Sequence, residues 1–232
     1  ISGDSKLNVN EDIDSLSYSI DKKKDKTFFK TDFEVKSNAL NIELLNYTKK
    51  KGIKSNLIVE GVVNKNNSVF LNKINCAESK NFIKVKNINF NSEKKLKRID
   101  QIDIDLVNNN DQISQLNIKR KKNDYSINSK TFDGAKILDS ILFSKSEENF
   151  FDVFEKLNSK ISINFNTIYI TNEDYLNSFK ADIIINNNQI KDLILSSQFS
   201  TKEDLKLSIK TNSNNERITD LFAGNAKPLV KK

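Results

Sequence analysis

The feature that most constrains this chain is strict alternation of apolar and polar residues, repeated in segment after segment. Successive side chains of a strand point to opposite faces, so alternation writes a ribbon with one apolar and one wet face. Leu16, Tyr18 and Ile20 alternate with Ser17 and Ser19, and Phe29, Thr31, Phe33 and Val35 alternate with Lys30, Asp32 and Glu34. Leu40, Ile42 and Leu44, then Leu57 to Val59 with Val62 and Val63, then Val69 to Leu71, continue the pattern. Ile83 and Val85 lead into Ile88 and Phe90. Ile102, Ile104 and Leu106 oppose Asp103 and Asp105, and Leu116 and Ile118 follow. Further on come Ile161, Ile163 and Phe165, then Ile168 and Ile170, Ile183 and Ile185, Leu193 and Leu195, and Leu205, Leu207 and Ile209. This spacing predicts about a dozen strands in antiparallel meanders. A wet face on nearly every strand argues against a parallel sheet covered on both sides.

The connections are rich in Asn, Lys and Ser, as in 64–67, 108–111, 186–188 and 212–215. Asn tolerates positive φ and can stand where a turn would take Gly, so five glycines suffice for a hairpin protein. One region changes period. Over 135–157, Ile137, Leu138, Ile141 and Leu142, then Phe150, Phe151, Phe154 and Leu157, fall at helical spacing. Asp133-Gly134 precedes the first group, and Glu147 and Glu148 stand where acidic side chains suit a helix N-terminus. Two short amphipathic helices are expected there. The organisation expected is a β segment over 1–130, a helical insertion over 131–160 and a further meander over 161–232.

Composition removes most chemistry. The 232 residues contain no His, so imidazole bases, His-ligated zinc and Ser-His-Asp triads are excluded. The single thiol, Cys76, cannot close an internal disulfide or build a thiolate cluster. No nucleophile elbow, phosphate loop or dinucleotide fingerprint occurs. Asp100, Asp103 and Asp105 read as a solvated face and not as a cation site, which would want a Gly-containing loop and more carboxylates. No catalytic residue, metal or cofactor is expected.

The net charge of +7 comes from Lys, which outnumbers Arg by 35 to 3 and is interleaved with Asp and Glu. Base and phosphate recognition leans on Arg forks and stacked aromatics, so nucleic acid is not the expected partner. The densest run, Lys119-Arg120-Lys121-Lys122, reads as a strand end or turn. The chain opens on Ile and halts soon after a turn signal, so it is read as a segment of a longer polypeptide. It contains no run of about 18 apolar residues.

Two arrangements would satisfy the apolar faces. Two sheets could seal them together as a sandwich, about 10 Å apart, serving a structural or adhesive role. Alternatively, one long curved antiparallel sheet could leave its concave face as an apolar groove. The lining is dominated by Ile and Leu with no Trp, which suits flexible acyl chains and tilts the expectation toward the groove. The candidate lipid-contacting residues are then Ile102, Ile104 and Leu106, Ile161, Ile163 and Phe165, Ile183 and Ile185, Leu193 and Leu195, and Leu205, Leu207 and Ile209.

The second half carries a more specific pattern. Residues 125–139 (YSINSKTFDGAKILD) run from a strand into an Asp-Gly turn, followed by 161–169 (ISINFNTIY), 179–186 (FKADIIIN), 190–195 (IKDLIL), 205–209 (LKLSI) and 218–230 (ITDLFAGNAKPLV). This order resembles the AsmA-like family of Gram-negative envelope proteins, and is most similar to its YhdP- and TamB-type members. It extends over residues 125–232 and reaches 1–124 only as general β character. The Phe222-Ala223-Gly224-Asn225 stretch departs from the family's closing turn, which introduces a short helix start. The resemblance implies a periplasmic β-groove, tethered to the inner membrane by an anchor outside this segment. It also implies that the groove passes phospholipid between inner and outer membranes, holding acyl chains on its floor, with no catalysis.

Overall fold

The computed structural model describes residues 1–9, 12–136, 150–171, 173–212, 214 and 216–225. It is mostly β, and fourteen strands are ordered as an open, mostly antiparallel sheet, seven in each of two compact units. The units are Ile1–Asp111 with Val153–Glu155, and Gln112–Asp152 with Lys156–Lys232.

The first unit contains β1 (Ser2–Val9), β2 (Asp12–Lys23), β3 (Lys26–Val35), β4 (Leu40–Ile42), β5 (Tyr47–Lys49), β6 (Ser55–Asn64), β7 (Val69–Glu78), β8 (Asn81–Phe90) and β9 (Leu96–Val107). Its strand order is β1-β2-β3-β6-β7-β8-β9, with every pairing antiparallel. The excursion between β3 and β6 forms a separate two-stranded hairpin, β4-β5, around a 3₁₀ turn at Glu43–Leu45.

The second unit contains β10 (Ile113–Lys121), β11 (Asp124–Asp133), β12 (Ser159–Tyr169), β13 (Tyr175–Asn186), β14 (Gln189–Phe199), β15 (Asp204–Thr211) and β16 (Arg217–Ala223), adjacent in that order. In each unit, extensive strand contacts are those between sheet neighbours, so each is a single layer among the described residues. The sealed sandwich would need a second sheet of comparable size, and the only other sheet among the described residues is the β4-β5 hairpin.

The structure departs from the expected meander at two places. The pair β11–β12 is parallel, Tyr125 opposite Ile161 and Asp133 opposite Tyr169. A parallel pair needs a connection that returns the full length of a strand, and residues 134–158 separate these two in sequence. Where a second amphipathic helix was expected, the chain makes a 3₁₀ turn at Phe150–Val153, and Phe154 then bridges to Leu96. Backbone pairing with β9 consumes those residues, and the Glu155 N–H donates to the Leu96 carbonyl at 2.8 Å. Of the first expected helix, which starts at Ala135, only Ala135 and Lys136 are described and both are helical; 137–149 lies outside the described residues. Ile218 to Ala223 continue the meander as β16 against β15, Leu207 opposite Leu221 and Leu205 opposite Ala223, and the closing helix start expected after them falls on residues that run into 226–232, outside the described residues.

Asn does take the positive-φ positions. The β13–β14 hairpin turns on Asn187 (φ 49°) and Asn188 (φ 64°), the double left-handed geometry of a two-residue I′ loop. The Lys119–Lys122 run is the end of β10 and the first residue of its turn into β11, with Lys122 at φ 59° and the Arg120 guanidinium donating to Asn123 Oδ1 at 3.0 Å.

Candidate functional site: two registered apolar faces

Register decides whether separate alternating strands present one continuous surface. In the second unit it does. One cross-strand row runs Tyr125–Ile161–Ile183–Leu193–Ile209, and the next runs Ile127–Ile163–Ala181–Leu195–Leu207–Leu221. A third carries Ser129–Phe165–Phe179 on one side and Leu205–Ala223 on the other. Ile185 extends the same face one step beyond Ile183. All ten candidate residues of this unit therefore share one face. Ile161, Phe165, Ile185, Leu193 and Leu205 are buried, while Ile163, Ile183, Leu195, Leu207 and Ile209 are half-buried. The other face carries Ser162, Asp182 and Lys160, with the Ser162 hydroxyl donating to Asp182 at 2.7 Å and Lys160 Nζ 3.6 Å from the same carboxylate.

Aromatic side chains close the Tyr169/Tyr175 end of this face. Phe132, Ile168, Leu176 and Phe199 pair in one buried row. The Phe132 ring lies 5.6 Å from Phe165, which stacks on Phe179 at 5.9 Å. Gly134 permits the tight return, because a Cβ there would stand 2.6 Å from Ile168 Cδ1.

The first unit has a comparable face. Leu16–Phe33–Leu57–Cys76–Ile83–Ile104 form one row and Tyr18–Thr31–Val59–Ile74–Val85–Ile102 the next. The third is Ile20–Phe29–Gly61–Leu71–Ile88–Ile99. Alternation alone would put Leu71 and Ile74 on opposite faces. The bulge at Glu60/Gly61 inserts one residue and returns both to the same side. Gly61 is required there, since a Cβ would meet the Phe70 carbonyl at 2.7 Å and Phe29 Cζ at 2.9 Å. Cys76 is half-buried within this face, and burial, with Glu78 beside it, raises its thiol above the ordinary value. Ile102, Ile104 and Leu106 all belong to this face, the last two buried.

At the end of this face Val35 pairs with Ser55 and Glu78 with Asn81, Asp14 lies one residue beyond the last β2–β3 pair, and the β4-β5 hairpin is hydrogen-bonded to this end through Tyr47. Asp14, Val35 and Ser55 are buried, as are Tyr47 and Lys49 on the hairpin. The Tyr47 hydroxyl donates to Glu78 Oε2 at 2.5 Å, and Asn109 N–H donates to the Asn46 carbonyl at 2.8 Å. Asp14 ties the hairpin's root: it accepts the backbone N–H of Lys36 (2.8 Å), Ser37 (2.7 Å) and Asn38 (3.2 Å), and the Asn38 amide (2.6 Å). Burial opposes its charge, but these four donors outweigh burial and hold the carboxyl well below the usual carboxylate range. The Lys49 ammonium donates to the Asn38 carbonyl at 2.6 Å and the Lys36 carbonyl at 3.2 Å. Desolvation pulls its pKa down, partly offset by Asp14 and Glu78. Burial and the Glu78 carboxylate push the Tyr47 phenol well above its ordinary value.

Sequence reasoning found the faces but not this buried polar knot. Asp14 and Lys49 look like solvated residues in sequence, and each partner set lies 11 or more residues away. Among the described residues, no group of three or more Cys, Asp or Glu is placed to hold a metal ion, and no helix is long and apolar enough to cross a membrane. Comparison with protein-family models, curated proteins and solved structures gives no match.

Proposed function

We propose that this chain binds phospholipid through its acyl chains, without catalysis. We propose further that it is a periplasmic segment that passes lipid between the inner and outer membranes, a reading supported by the resemblance of residues 125–232 to AsmA-like proteins. The observation that carries the reading is the set of aliphatic rows held in register on single layers, with no second sheet over them among the described residues. Left wet, such rows would be costly. Neighbouring strands lie about 4.8 Å apart, so the row through Ile127, which Ile118 on β10 extends to seven strands, is about 29 Å long. A bilayer's hydrocarbon core is about 30 Å for two leaflets, so such a row matches about two acyl-chain lengths. Taking eight methylenes out of water recovers about 6 kcal/mol, enough to hold a lipid yet release it.

The test uses adjacent residues on opposite faces. Leu195 lies in the aliphatic row, and Ile194, 61% exposed, lies on the other side. Protein purified without detergent is extracted and its phospholipid counted by mass spectrometry. Leu195→Lys is expected to lower the recovered phospholipid at least tenfold, and Ile194→Lys to leave it unchanged. Wild-type protein that yields no phospholipid and takes none up from vesicles defeats the proposal.

A further inference from the structure

The two ends of the first unit's apolar face are built differently. One is roofed by the β4-β5 hairpin through Tyr47, Lys49 and the Asp14 knot. At the other, the row Thr27–Val63–Val69–Phe90–Leu96 runs out to the strand ends, and no second strand layer lies over it among the described residues. Antiparallel pairing brings three turns together there: β2–β3, β6–β7 and β8–β9.

These turns are basic. The first carries Lys22, Lys23, Lys24 and Lys26, all exposed. The second adds Lys65, and the third Lys94 and Lys95. Against these lysines stand Asp21, 3.0 Å from Lys23, Asp25, 3.4 Å from Lys65, and Glu93, three carboxylates to seven ammonium groups, so the turns stay net positive. The roofed end instead mixes Glu34, Glu43, Glu78 and Asp111 with Lys50, Lys51, Lys54 and Lys80. Two clefts separate the basic turns: one of about 280 Å³ bounded by Asp25, Lys26 and Lys65, and one of about 380 Å³ bounded by Asn66, Phe70, Phe90 and Glu93. The second opens beside Phe90, a residue of the row that reaches this end.

We infer that the β2–β3, β6–β7 and β8–β9 turns form a docking rim for an anionic phospholipid bilayer, so that acyl chains enter the first unit's face at this end. The inference rests on the lipid-binding reading. Lysines near an anionic surface each add attraction that fades within a Debye length. An open apolar face ending at such a rim meets headgroups with charge and chains with aliphatic side chains. The interleaving that made Lys look dispersed in sequence is undone by topology, which collects three turns far apart in the chain.

The test is flotation of the full chain with vesicles of phosphatidylcholine alone or with about one-third phosphatidylglycerol. Lys22, Lys26, Lys65 and Lys94 are changed to Gln together; a control changes Lys50, Lys51, Lys54 and Lys80 to Gln, the same loss of charge at the roofed end. Circular dichroism verifies that both fold. Wild type and control should float with anionic vesicles and detach at 0.5 M salt, while the rim variant should bind at least 30-fold more weakly. Equal binding by rim variant and wild type, equal loss in both variants, or equal binding to phosphatidylcholine alone overturns the proposal. So does duplex DNA that outcompetes the anionic vesicles for the rim, which would make it a nucleic-acid surface. Counting the phospholipid carried by wild type keeps the two claims apart: if wild type floats normally but carries no phospholipid, docking stands and the acyl-binding reading fails.

Discussion

Replacing Asp14 by Ala should unroof the first unit's face, and the size of the effect follows from its four hydrogen bonds. The carboxylate is 5% exposed and accepts three backbone N–H groups and one amide from Lys36, Ser37 and Asn38. Hydrogen bonds to a charged group contribute about 1.5–3 kcal/mol each. Four independent ones would sum to about 6–12, but the 36–38 segment can relax and admit water, so the terms are not additive. Removing one partner of a buried charged cluster costs about 3–5 kcal/mol, and that is the expected loss. Asp14→Asn should fare little better, because an amide NH₂ would face N–H donors. The assay is equilibrium urea unfolding followed by circular dichroism, with exchange at the Ser37 and Asn38 amides as a local readout. The pH dependence has a definite sign. The folded carboxyl titrates below its unfolded value, so its contribution is full above about pH 4 and disappears as pH falls through the lower folded value. The gap between wild type and Asp14→Ala should stay flat from pH 5 to 8 and narrow toward acid. A loss under about 1 kcal/mol, or a gap widening in acid, refutes the reasoning.

Tyr47→Phe should cost about 1.5–3 kcal/mol by removing the hydrogen bond to Glu78. Because the folded phenol titrates above its unfolded value of about 10, wild type should lose stability above pH 10 and the Phe variant should lack that component. Gly61→Ala drives a methyl against the Phe70 carbonyl, which belongs to the backbone and cannot swing aside; calorimetry should show about 1–3 kcal/mol of destabilisation. Ile194→Lys, on the exposed face, should change urea stability by less than about 0.5 kcal/mol.

Period-2 alternation was enough to specify strands, their number within a few, and which residues share a face inside each strand, because side-chain direction is a local property of extended backbone. Ile161 with Ile163 and Leu205 with Leu207 are examples. Asn in the turns was also legible, since tolerance of positive φ belongs to the residue itself. Tertiary structure alone decided the parallel β11–β12 pairing, the Glu60/Gly61 bulge that returns Leu71 to the same side as Ile74, and the pairing of Phe154 with Leu96. It alone buried Asp14 and Lys49 and gathered the lysine turns at one end. Each of these depends on which strands lie side by side and in what register, and that choice is made by contacts between residues tens of positions apart.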